Sequence, residues 1–205
     1  MQTFKRYKWT WILLGIAVIV AGYLVVNSLG LGKEKLPVIS QVEDFALENV
    51  DGSTVTLADT QGQVRLFYFF FTSCPDVCPV TTYMLTEVQD LLKEDGVFNK
   101  DAQFVSISFD PEVDTQERLK AFGDKFDVDY NGWYFLRGDK QQIWNLARNT
   151  FKIAIVGDNV DNYSHANIIA LVDRDNQVRK LYNANDTEEV TPEVLAKAIK
   201  DLAKE

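Results

Sequence analysis

The apolar positions of the chain change their spacing several times, and each change marks an element. Residues 9–32 carry no charged side chain, and a helix of that length, rising about 1.5 Å per residue, reaches across a hydrocarbon core of roughly 30 Å. Residues 44–47 and 54–57 flank Asp51-Gly52, a turn pair that predicts a small hairpin. Residues 66–71 (LFYFFF) are an unbroken aromatic-rich run, the pattern of a strand buried on both faces. Pro79 then opens a helix over residues 80–93, in which Met84, Leu85, Val88, Leu91 and Leu92 recur at helical spacing. Residues 103–109 (QFVSISF) predict a second buried strand, closed by Asp110-Pro111. Asp114 or Thr115 is placed to cap a helix running to about residue 126, with Leu119, Phe122 and Phe126 on one face.

Residues 133–136 read as a short strand, and residues 140–149 as a helix with Ile143, Leu146 and Ala147 inward. Residues 168–172 and 178–182 read as a hairpin about Asp175-Asn176. Residues 192–204 read as an amphipathic helix with Pro in its first turn and Val194, Leu195, Ala198, Ile199 and Leu202 recurring. From residue 64 onward the order is β-α-β-α-β-α-β-β-α. Such alternation predicts an α/β domain with a central, mostly parallel sheet flanked by helices. The closing hairpin and helix give it the thioredoxin-like arrangement.

Charge adds an orientation. Lys5, Arg6 and Lys8 precede the apolar segment, and only Lys33 and Lys35, offset by Glu34, follow it. The positive-inside rule therefore predicts a cytoplasmic N-terminus and an extracytoplasmic domain. A cleaved signal would have an apolar core of about 7–15 residues ending in a small-residue site, and no such site follows Val26. No cysteine lies near the end of the run to take a lipid. The expected organisation is a cytoplasmic segment (residues 1–8), a retained single-pass anchor in the cell membrane (9–32), a linker (33–41) and one domain (42–205). Residues 1–35 hold five basic side chains and one acidic one, so of the chain's net charge of −9 the remaining residues carry −13. A domain of that charge has no electrostatic attraction for nucleic acid.

Candidate chemistry is confined to very few side chains. The chain has two cysteines and one histidine. Cys74 and Cys78 sit where the aromatic strand ends, the edge at which open α/β sheets place their ligands. Their spacing is C-x-x-x-C, in a loop bounded by Pro75 and Pro79. Amides at the following helix N-terminus favour the thiolate, the form that binds metal or attacks a disulfide. His165 lies in the stretch leading into the strand at 168–172; if that strand pairs beside the central one, the imidazole falls near the thiols. Soft thiolates with an imidazole suit copper or zinc. Structural zinc usually takes four such ligands and the chain has three, which favours copper. A structural disulfide is the plainer alternative, but closing so short a loop stabilises a fold little. Asp110 and Asp114 read most simply as turn and capping residues, with Asp110 also able to face the site.

The motifs F-T-S-C-P-D-V-C-P at residues 71–79 and S-I-S-F-D-P-E-V-D-T at residues 106–115 resemble those of the Sco/SenC family. His165, six residues before Leu171-Val172-Asp173, stands where that family places its third ligand. It is framed here by Tyr163-Ser164 and Ala166, where the family often has Val-Asp before and Ser after. The resemblance spans about residues 42–202. It implies a membrane-tethered thioredoxin-like protein that binds a copper ion through Cys74, Cys78 and His165. The implied partners are the copper A subunit of cytochrome c oxidase and an extracytoplasmic thiol reductant. The implied role is delivery of copper to that centre or reduction of its cysteines, an assembly factor more than an enzyme. The alternative is a thiol-disulfide oxidoreductase using Cys74 and Cys78. Against it stand the longer spacing and the lack of any proline between Pro111 and Pro192 to supply the cis-proline that faces the cysteines in general thioredoxin-like oxidoreductases.

Overall fold

The computed structural model describes residues 7–28, 35–157 and 164–205, and the chain divides into two units, residues 1–36 and 37–205. The first unit is one helix, α1 (Lys8–Ser28). Its stretch Lys8–Val25 has a mean hydropathy of 1.8, so by length and composition it can cross a membrane. It is apolar on every side and its described side chains are all exposed, unlike the one-sided stripe of a helix packed on a soluble core.

The second unit is built on an eight-stranded sheet. Its strands in chain order are β1 (Ser40–Gln41), β2 (Ala46–Asn49), β3 (Thr54–Thr56), β4 (Val64–Phe70), β5 (Ala102–Ser108), β6 (Trp133–Arg137), β9 (Ile168–Val172) and β10 (Gln177–Asn183). The spatial order is β1-β10-β9-β4-β5-β6-β2-β3. A separate two-stranded ladder joins β7 (Ile155–Val156) to β8 (Ser164–His165). Between the strands run α2 (Val77–Glu94), α3 (Gln116–Asp124), α4 (Lys140–Asn149) and the terminal α5 (Pro192–Leu202).

The expectation of a mostly parallel sheet holds only at its centre. Only β4–β5 and β5–β6 are parallel; the hairpins β2–β3 and β9–β10 bring in antiparallel wings, and β9 lies antiparallel against β4 itself. The physical reason is connectivity. A hairpin reverses direction within two to five residues, whereas a parallel neighbour needs a helical crossover, and crossovers occur only between β4, β5 and β6.

Every residue of β4 and β5 is buried. On one face of β4, Tyr68 and Phe70 stack at 6.0 Å, and Phe70 meets Phe122 of α3 at 5.3 Å. On the other, Phe67 and Phe69 pack on Phe151, just beyond α4, at 5.0 and 5.2 Å. The crossovers through α2 and α3 step in the same direction, so the right-handed rule lays both helices over the Tyr68 face, and α5 packs on α2. In α5 the inward residues are Leu195, Ala196, Ile199 and Leu202. Val194, expected inward, is 40% exposed, because with Pro192 fixing the first turn the buried stripe runs one residue further round.

The strand that reads as purely apolar conceals a cation. Arg65 is fully buried, donating from Nη1 to the Thr60 carbonyl at 3.0 Å and to Asn176 Oδ1 at 2.6 Å, and from Nη2 to the Asp173 carbonyl. Burial pulls its guanidinium down to about 10, so it stays charged at neutral pH. This clasp lies at the opposite end of β4 from the thiols.

Candidate functional site

The site begins where β4 runs out. Past Phe70 the chain turns through Phe71, Thr72 and Ser73, and the Cys74 N–H donates to the Phe71 carbonyl at 3.3 Å. Asp114 fixes this turn. Its fully buried carboxylate accepts from the Thr72 N–H at 3.0 Å, from the Thr72 hydroxyl, and from Ser108 Oγ at the end of β5 at 2.6 Å. Arg118 Nη2 donates to Ser73 Oγ at 2.9 Å. Arg137 Nε ties the Asp114 carbonyl to β6 at 2.9 Å. The helix cap that the sequence offers to Asp114 or Thr115 is made by Thr115, whose hydroxyl accepts from the Arg118 N–H at 3.3 Å. Asp114 is thereby left to anchor the thiol loop.

The helix after the loop starts earlier than Pro79. It begins at Val77, so Cys78 and Pro79 both lie in its first turn, where a proline's missing N–H costs no intrahelical bond. The sulfur of Cys74 therefore sits on the open N-terminus of α2, where the Cys78 N–H donates to it at 3.4 Å and the amides of Asp76 and Val77 add to the field. Both cysteines are free thiols and both are buried, Cys78 completely.

The two thiols share one proton unequally. Cys74 is lowered to about 6, first by the hydrogen bond it accepts from the Cys78 thiol and then by the helix amides, which outweigh the opposing effect of burial. Cys78 is pushed far up, because it supplies that hydrogen bond and because it is buried. At neutral pH the pair is a Cys74 thiolate held by a Cys78 thiol, one nucleophile and one reserve. Alkylation requires the thiolate. Iodoacetamide should therefore modify Cys74 alone, with a rate whose pH midpoint lies near 6, as read by peptide mass spectrometry. Equal modification of both cysteines, or a midpoint near the ordinary value of about 8.5, would contradict this arrangement.

Beneath the thiols the environment is aromatic, with a polar seam. The Tyr68 phenol abuts Cys78 and Thr81. Thr81 Oγ1 accepts from Asn167 Nδ2 at 3.0 Å, and the same nitrogen donates to Asn185 Oδ1 at 2.9 Å. None of these residues stands out in the sequence. Tyr68 reads as core, Thr81 as helix filler and Asn167 as loop. Asp110, read first as a turn residue and as one able to face the site, is buried just past the end of β5, with its N–H donating to Ser108 Oγ at 3.1 Å.

His165 is in β8, paired in register with Ile155 of β7; its side chain, like residues 158–163, lies outside the described residues. The strand that follows it does pair beside the central one. Ile169 opposes Tyr68, so β9 enters the sheet at the end where β4 delivers the thiols. Among the described residues no group of three His, Cys, Asp or Glu side chains is close enough to hold a metal, and no peptide bond is cis.

The model of the family described as SCO1/SenC matches residues 34–203. The SCO1 protein homolog of Bacillus subtilis is 33% identical over 163 residues, covering 78% of this chain and 83% of that one. The structure of BsSco, described as a member of the Sco family of cytochrome c oxidase assembly proteins with a disulfide switch, superposes with a TM-score of 0.72 at 34% identity, covering 83% and 97% of the two chains. Bradyrhizobium japonicum ScoI, solved with copper bound, superposes with a TM-score of 0.65 at 28% identity over 80% and 99%.

Proposed function

The chain belongs to the SCO1/SenC family, and from that premise we propose that it is a copper-binding assembly factor for cytochrome c oxidase. In this reading α1 anchors it in the membrane with residues 1–8 cytoplasmic, and the domain of residues 42–205 works on the extracytoplasmic side. The observation that carries the proposal is the convergence of two buried thiols on one point at a helix N-terminus. The donor set fits copper. Two sulfurs already within hydrogen-bond contact, one of them held as thiolate at neutral pH, offer a soft cation both charge and proximity. Cys74 and Cys78 would be two ligands and His165 the third. Asp114 holds the loop to the sheet, so the thiols are positioned before a metal arrives.

The acceptor in this reading is the copper A subunit of the oxidase, and an extracytoplasmic reductant keeps the thiols reduced. A second reading rests on the unequal sharing of the proton. A Cys74 thiolate attacks a partner disulfide, forming a mixed disulfide and releasing one partner thiol. Cys78 then displaces the second partner sulfur, which leaves a Cys74–Cys78 disulfide and a reduced partner. On that route the chain prepares the oxidase's cysteines and does not load them.

Copper titration of the full chain in detergent, with both thiols reduced, tests the first reading. One copper per chain is expected, with an affinity at least about tenfold weaker in His165→Ala. Tight binding indifferent to His165 would remove the imidazole from the ligand set. No tight binding in the parent would leave thiol-disulfide exchange as the function.

A further inference from the structure

Five consecutive aromatic residues occupy positions 67–71, and only the second carries a hydroxyl. Tyr68 is 1% exposed, and its hydroxyl makes no well-aligned hydrogen bond among the described residues. A buried, unsatisfied hydroxyl destabilises a fold, so for packing alone phenylalanine, present on both sides, would serve better. The hydroxyl lies against Cys78 Sγ and Thr81, and Thr81 Oγ1 already accepts from Asn167.

We infer that Tyr68 is a positioning residue for the metal site, whose hydroxyl donates to Cys78 Sγ once that sulfur holds a metal ion in place of its proton. The inference rests on the copper reading above. A metal-bound thiolate is an anionic acceptor, and a donor buried beside it is aligned by the charge that appears there. The unmet hydroxyl is thus a cost carried by the metal-free protein and recovered on loading. Thr81, held by Asn167, backs the phenol so that it stays beneath Cys78.

The test compares the full reduced chain with Tyr68→Phe, each in detergent. Copper affinity should fall about tenfold, and the sulfur-to-copper(II) charge-transfer band should move to longer wavelength, because the thiolate loses a donor that lowers its orbital energy. The metal-free variant should melt no lower than the parent, since an unmet hydroxyl has been removed. Unchanged affinity and an unchanged band would overturn the inference and leave the copper reading standing. A metal-free melting temperature lowered like that of a core truncation would overturn it too, by making the hydroxyl structural. If the parent takes up no copper, the copper reading fails, and zinc competition against a chromophoric chelator decides for Tyr68. A tenfold ratio between parent and variant upholds its role as donor, and a ratio of one overturns it.

Discussion

Replacing both cysteines, in Cys74→Ala/Cys78→Ala, should weaken copper binding by more than about 100-fold while leaving the far-ultraviolet spectrum unchanged. Removing an outer-shell partner of a metal site typically costs 10–100-fold, and this variant removes both proposed thiolate ligands, the only cysteines of the chain. No other thiolate is present to substitute, since the only remaining sulfur side chains are the uncharged thioethers of Met1 and Met84. The fold should survive, because a cysteine-to-alanine change deletes one atom from a core otherwise held by aromatic packing across β4 and β5. Equilibrium titration against a copper chelator measures the outcome. Affinity that survived the double replacement would place copper elsewhere and end the proposed function.

The largest stability effect is expected at Asp114. Its carboxylate receives hydrogen bonds from the Thr72 N–H, the Thr72 hydroxyl and the Ser108 hydroxyl, all in a place without solvent. In Asp114→Ala these donors lose their acceptor together. The hydroxyls can rotate toward other partners but the amide cannot, and about 3 kcal/mol should be lost in urea unfolding. The neighbouring Thr115→Ala removes only a helix cap, worth about 1 kcal/mol. If the two variants cost the same, Asp114 is not the anchor of the thiol loop. The anchor also has a functional readout. With Thr72 released, the Cys74 sulfur drifts from the α2 amides, and the midpoint of its alkylation should rise from near 6 toward the ordinary thiol value.

The sequence made most of the architecture legible because the informative patterns are local. The aromatic run of β4, the periodicity of α4 and the turn at Asp175-Asn176 each declare themselves within about a dozen residues, and the structure places β4, α4 and the β9–β10 hairpin where those patterns put them. Much less legible were features that depend on partners far along the chain. Arg65 looks like an interruption of an apolar strand until Asn176 and Asp173, more than a hundred residues later, close around it. Asp114 sits beside a good cap residue and reads as one. Only the approach of Thr72 and Ser108, brought together by the parallel pairing of β4 and β5, reveals its task. The start of α2 at Val77 lies ahead of the position that Pro79 suggests, for a related reason. Proline is commonest at the first helical position, but here it stands third, and that draws Cys78 onto the helix and its N–H onto Cys74. Tyr68 is indistinguishable from its phenylalanine neighbours until the helix above it is in place.

The antiparallel seam between β4 and β9 also sets a timetable for biosynthesis. A ribosome delivers the chain N-terminus first, so β4, both thiols and α2 exist before Ile168–Val172 has been translated. Residue 165 follows residue 78 by 87 positions, which at about 5–20 residues per second is about 4–17 s. Through that interval the nascent chain carries its thiols without the strand that will flank them and without the only histidine it will ever have. Early in synthesis the thiol loop can therefore be held only by the Asp114 anchor and the α2 amides, and neither β9 nor His165 contributes until later.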